Sequence, residues 1–217
     1  MSRRFMTSLS VLLLLATTSW LCARNEEVVS LFDGKTLDGW EGDKKVWLVE
    51  GGIITGGSFE GNPRNEFLAT TKDYKDFTQT LQYRLITKSG TPNAGVQIRS
   101  QRITNPPNEM KGYQADIGAF GDGKPLSGSL YDESRRNKFL VASDPELLSK
   151  IEKVGEWNEM EVTCKGPRIV IKINGKQTVD YTETDANIPL EGKIGLQIHG
   201  GQKAEVYYRN IKIREDK

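Results

Sequence analysis

The chain has 217 residues, and its 30 Lys and Arg against 29 Asp and Glu leave a formal net charge of +1. That balance excludes nucleic acid or an anionic membrane as a partner recruited by net charge, and no basic run restores the attraction; a neutral partner fits better. The length suits one domain, and two cysteines, one of them in the leader described next, exclude a disulfide framework.

Residues 1–23 read as a secretory signal peptide: Arg3 and Arg4, the apolar run Leu9 to Ala16, then small residues and "LCA" up to a cleavage point after Ala23. The run is shorter than the roughly 20 apolar residues a bilayer span needs, so no integral membrane span is expected. An exported protein, periplasmic or extracellular, follows. Bulky Trp20 and Leu21 speak against acylation of Cys22.

From there to the end, residues 28–217 read as one folded domain of short β runs separated by turn dipeptides, the pattern of an all-β sandwich or barrel. "LFDGKTLDGW" holds Asp33-Gly34 and Asp38-Gly39. "KVWLVEGGIIT" is two runs hinged at Gly51-Gly52. "DFTQTLQYRL" alternates, with Phe77, Gln79, Leu81, Tyr83 and Leu85 on one face. The segment from Thr104 to Lys111, with Pro106-Pro107, and the segment from Gly118 to Gly128 read as loops, and "LYDESRR" as a charged loop. "SDPELLSKI" is the one helix, with Asp144 as cap, Pro145 in the first turn and Glu146 at the positive end. "EMEVTC" buries Cys164, and "RIVIKINGKQTVDY" turns at Asn174-Gly175, the strongest short-range hairpin signal. Trp47 and Trp157 read as core residues.

Three strands share an unusual face. In "NAGVQIRS" the residues Gln97 and Arg99 alternate with Val96 and Ile98; in "GYQADIG" Gln114 and Asp116 alternate with Tyr113, Ala115 and Ile117; in "IGLQIHG" Gln197 and the single histidine, His199, alternate with Leu196 and Ile198. Solvated faces usually run to Thr, Lys, Glu and Ser. Amides that both donate and accept, with Arg and Asp to fix orientation, suit a polyhydroxylated ligand. The plainer alternative is a wet face assembled by chance, and adjacency of the three strands decides between them. Phe120, Tyr131 and Trp40 are candidates for stacking on a sugar ring.

As a set, "LFDGKTLDGW", "YKDFTQTLQYRL", "NAGVQIRS", "GYQADIG", "GSLYDESRR", "WNEMEV" with "INGK", and "GKIGLQIHGG" with "YYRNIKI" resemble the 3-keto-disaccharide hydrolase domain, a relative of the concanavalin A-like lectins and glucanases. The resemblance implies a two-sheet antiparallel jelly roll with a sugar site on its concave face, and activity on glycosides oxidised at C3. It places Arg99, Gln114, Asp116, Glu133, Arg135 and His199 at the site, while Gln97, Gln197, Phe120 and Tyr131 join as substrate-binding candidates. A ketone at C3 acidifies the C2 hydrogen and leaves the glycosidic oxygen β to the carbonyl, so elimination followed by hydration gives net hydrolysis. His199 or Asp116 would be the base, Arg99 the enolate stabiliser and Glu133 the acid. The sequence requires no cofactor, although a divalent ion could replace the arginine. Direct displacement by an Asp116 and Glu133 pair is the contrasting scheme, and a non-catalytic carbohydrate-binding module is the contrasting class. Nothing in the pattern specifies an oligomeric state.

Overall fold

The computed structural model describes residues 27–216. The leader, with Cys22 and the cleavage point, lies outside the described residues. In chain order the strands are β1 (Val28–Ser30), β2 (Trp40–Glu41), β3 (Trp47–Glu50), β4 (Ile53–Asn62), β5 (Glu66–Thr70), β6 (Phe77–Ser89), β7 (Asn93–Ile103), β8 (Glu109–Gly118), β9 (Leu130–Glu133) and β10 (Lys138–Val141). Helix α1 (Pro145–Ile151) follows, then β11 (Asn158–Lys165), β12 (Arg168–Ile173), β13 (Lys176–Thr182), β14 (Lys193–Ile198) and β15 (Gln202–Glu215). One sheet runs β13-β12-β11-β6-β15-β4-β3 with β1 also on β15; the other runs β10-β9-β8-β7-β14-β5-β2. Every pairing is antiparallel, so the expected two-sheet sandwich with one short helix is what forms.

Alternation fixes which face turns inward. Phe77, Leu81 and Tyr83 of β6 meet Val96, Ile98, Tyr113, Ile117 and Leu196 of the second sheet in one core, where each fully buried aliphatic or aromatic side chain contributes roughly 1.5–3 kcal/mol. Gln79 is the exception: it sits on the same inward face, 1% exposed, with neither amide atom partnered. Positive φ angles at Asn174 (47°) and Gly175 (77°) close the expected hairpin between β12 and β13. Asp144 caps α1 by accepting from the Glu146 amide at 2.9 Å. Cys164 and Trp47 are buried as expected.

Four sequence readings are corrected. "LYDESRR" opens with strand β9, which pairs with β10. The loop around Pro106-Pro107 is shorter than expected because β7 and β8 stay paired out to Ile103 and Glu109. Trp157 is half-buried under the Arg209 guanidinium, 4.0 Å from its ring centroid, instead of in the core. Trp40 is a core residue whose indole N–H donates to Leu31 O at 2.7 Å, so it offers no face to a sugar.

One irregularity shapes the second sheet. The β7–β8 register shifts between Ile98 and Gln101, with Arg99 at φ 47°, and beyond this bulge the hairpin bends over the outer face of β14 and β5. Met110 lies so close to Gly195 that a Cβ there would come within 2.6 Å of its sulfur, and it packs with Phe67 and Ala69. Arg102 ties the hairpin down through Nη2 to Phe67 O (3.0 Å) and Glu41 O (2.6 Å).

Candidate active site

Strands β8, β7 and β14 are neighbours, in that order. Their core-facing residues leave Gln97, Gln114, Asp116 and Gln197 together on the opposite face, each no more than 3% exposed. Three of the four, Gln97, Gln114 and Asp116, form a row connected in one direction. Ser100 Oγ donates to Gln97 Oε1 (2.5 Å), Gln97 Nε2 to Gln114 Oε1 (2.8 Å), and Gln114 Nε2 to Asp116 Oδ1 (2.7 Å). Gln114 can lie flat because Gly95 is beneath it: a Cβ at Gly95 would come within 2.6 Å of the Gln114 amide carbon.

No described Lys or Arg forms an ion pair with the carboxyl at the end of this row. Burial pushes the Asp116 carboxyl well above the usual carboxylate range, the Gln114 donor opposes this, and the Glu133 charge adds to it. Glu133 stands on β9 opposite Gly112, half-buried, with Gln197 Nε2 3.5 Å from Oε2 and Ser134 Oγ 3.3 Å from Oε1. Burial raises its pKa too, offset in part by Ser134, His199 and Gln197. A third carboxyl comes from the bent hairpin: Glu109, 7% exposed, is pushed up by burial and by the Glu133 charge, against a 3.1 Å bond from Met110 N. His199 follows β14 and is exposed, its Nδ1 2.7 Å from Gly200 O. A carbonyl only accepts, so Nδ1 carries the hydrogen and Nε2 of the neutral ring is left with its lone pair. At the rim, Tyr131 opposes Gln114 across β8–β9, Phe139 meets Tyr131 edge-on at 5.1 Å, and Phe120, 54% exposed, meets Phe139 at 5.8 Å.

Gln97, Gln114, Asp116, Glu133, Gln197 and Tyr131 therefore share one face, with His199 and Phe120 at its edges. Arg99 and Arg135 do not. The bulge turns Arg99 off the alternation its sequence suggests, and its guanidinium donates to Lys75 O (2.7 Å), Gly166 O (2.6 Å) and Asp76 Oδ1 (2.8 Å) at the end of the sandwich. Arg135 stacks 4.4 Å over the core-facing Tyr113 ring and pairs with buried Asp132 at 2.7 Å, on the other side of the sheet from Gln114. Arg136 is held there as well, by Asp132 and by Glu183. Glu109 and Phe139 were missed. Counting back by two from Gln114 assigns Glu109 to the core face, and only its electrostatic coupling to Glu133 relates it to the site; Phe139 becomes visible once "LYDE" and "KFLV" are paired as a hairpin. The described residues bring no three His, Cys, Asp or Glu side chains within metal-binding range, so no ligand set is assigned to a divalent ion. No described helix is long and apolar enough to cross a membrane.

The two antiparallel sheets form a jelly roll of the concanavalin A-like kind. The sequence profile of the 3-keto-alpha-glucoside-1,2-lyase-like domain matches residues 27–214, and the chain belongs to that family. It is 22% identical to a 3-keto-disaccharide hydrolase of Bacteroides thetaiotaomicron, an alignment spanning 86% of this chain and 77% of the relative. Among solved structures it resembles a protein of Parabacteroides distasonis provisionally named a glycosyl hydrolase (TM-score 0.66, 20% identity, 88% of this chain and 94% of that one). It also resembles carbohydrate-binding module CBM66 from Bacillus subtilis (TM-score 0.58, 17% identity, 82% of this chain and 96% of that one).

Proposed function

We propose that the protein cleaves 3-keto-glycosides, including 3-keto-disaccharides, by removing the C2 proton, eliminating the C1 substituent and adding water to the resulting enone. The observation that carries this reading is two carboxyl groups, Asp116 and Glu133, that burial drives toward their protonated forms on one sheet face with His199 at its edge. With Arg99 committed elsewhere, stabilisation of the enolate oxygen passes to the Asp116 carboxyl, which in its protonated form donates a hydrogen bond to the developing negative charge. His199 Nε2 takes the C2 proton. Glu133 gives its proton to the departing C1 oxygen and, as the carboxylate, then receives one from the water that adds at C1, while the His199 imidazolium returns a proton to C2. The amide row holds the sugar hydroxyls, and the rim of Tyr131, Phe139 and Phe120 faces the leaving group.

The test uses the purified protein with a 3-keto-disaccharide, and separately its unoxidised parent, in deuterated water. Turnover of the ketone alone, with deuterium at C2 of the product, is expected. Cleavage with C2 wholly unlabelled would instead point to direct displacement at C1. Saturable binding with no turnover would return the protein to the binding modules. Loss of roughly 10²–10⁴-fold in kcat is expected for His199→Ala and for Glu133→Gln.

A further inference from the structure

A cavity of about 280 Å³ opens at one end of the sandwich, away from the amide face, between β6, the end of β8, the loop 119–125 and α1. Its walls are mainly apolar, with Leu85, Ile117, Pro125 and Leu148 among them. Its polar lining includes Ser149, Lys153, Asn158 and one acid, Glu152, the residue that ends α1. Its Oε1 accepts from Tyr83 Oη at 2.9 Å and from Ser127 Oγ at 2.5 Å, which fixes the plane of the carboxyl. Oε2 has no donor among the described residues and is not sealed off from solvent. Neither Lys153 at the cavity wall nor any other described cation forms an ion pair with Glu152, and burial pushes its pKa up against the two donors.

A tie between Tyr83, Ser127 and the end of the helix needs only one oxygen, and a glutamine would supply it without the cost of dehydrating a charge. The second oxygen, to which no described group donates, sits on a residue that lines a mainly apolar hollow, and a cationic guest would complete it. The hollow is nearly twice the roughly 150 Å³ that accommodates benzene, enough for a ring with a short arm. We propose that this cavity is a second binding site, for a small primary ammonium compound with an apolar, arylalkyl body, its nitrogen on Glu152 and its ring against Leu85, Ile117 and Leu148. The proposal is independent of the chemistry assigned to the amide face.

Phenethylammonium chloride is the probe, titrated at pH 7.5 into ¹⁵N-labelled protein, with 2-phenylethanol and phenylacetate as comparators of similar shape. Saturable shifts of the Gly118, Leu148 and Glu152 amides are expected, with the neutral alcohol roughly tenfold to a hundredfold weaker, the range of one charge-assisted hydrogen bond, and no binding of the carboxylate. In Glu152→Gln the amine should lose its advantage over the alcohol. Ala119→Trp, which keeps Glu152 and fills the cavity from its wall, provides the same test should the first variant fail to fold, and should abolish both titrations. The proposal is overturned if the amine leaves those amides unmoved up to about a hundredfold excess over protein, if wild type binds alcohol and amine alike, or if a folded variant binds the amine as wild type does.

Discussion

Arg99→Met separates an arginine that works on substrate from one that holds the sandwich together. The side chain is fully buried, and its three donors reach two main-chain carbonyls and Asp76, which also accepts from Gly166 N at 2.9 Å. Methionine keeps much of the length and removes all three bonds. Breaking a buried pair by deleting one partner costs about 3–5 kcal/mol. The Asp76 side chain is 30% exposed, so water can replace part of what it loses and the lower end applies, about 3 kcal/mol. At roughly 2–4 °C per kcal/mol for a domain of this size, the melting midpoint should fall by about 6–12 °C. Arg99→Lys should fall nearly as far, because one ammonium cannot span three separated acceptors. Thermal and urea melts measure the loss, and initial rates at a temperature where the variant is folded should stay within about threefold of wild type. A midpoint within about 2 °C of wild type accompanied by a collapse of kcat would refute the reasoning and return the guanidinium to the substrate.

The raised carboxyls give a pH dependence of definite sign. Asp116, Glu133 and Glu109 hold their protons more tightly folded than unfolded, so their contribution is complete below the ordinary carboxylate pKa and is lost as pH rises through each elevated folded value. Glu183 acts oppositely: burial raises it, but donors led by Arg136 outweigh this and lower it to about 2, so its contribution is present above the ordinary range and disappears as pH falls toward 2. Melts of Asp116→Asn should therefore decline less than wild type between mildly acidic and alkaline pH, while its kcat falls roughly 10²-fold or more; an unchanged slope would contradict the assignment. Gln79→Leu removes two unpartnered polar atoms from the core, each costing about 1–3 kcal/mol, and should raise the midpoint by several degrees, read by differential scanning calorimetry. Gly95→Ala should displace Gln114 from Asp116 and cut kcat at least tenfold with a midpoint change under about 4 °C; unaltered turnover would show that the Gln114 contact is dispensable.

The alternation of "NAGVQ", "YQADI" and "GLQI" was legible, because strict period-two patterning places amides and aliphatics on opposite faces wherever the strand is regular. It failed at Arg99, where one bulged residue at φ 47° changes which way the following side chains point. Glu109 was passed over because its coupling to Glu133 is a tertiary effect without a local signature. Arg135 stood at the site through the family resemblance alone; Asp132, on the inward face of β9, draws both arginines that follow it to the core side. Gly95 and Gly195 carry no side chain to notice, although the placement of Gln114 and Met110 depends on them.

Gln97 and Gln114 point their N–H groups the same way, toward Asp116, so each one reports on its neighbour. Polarisation passed along hydrogen bonds in series means that ionisation at the far end alters every donor upstream. A spectroscopist could therefore follow the charge on Asp116 from the side-chain NH₂ resonance of Gln97, two links away, without labelling the carboxyl or adding a substrate.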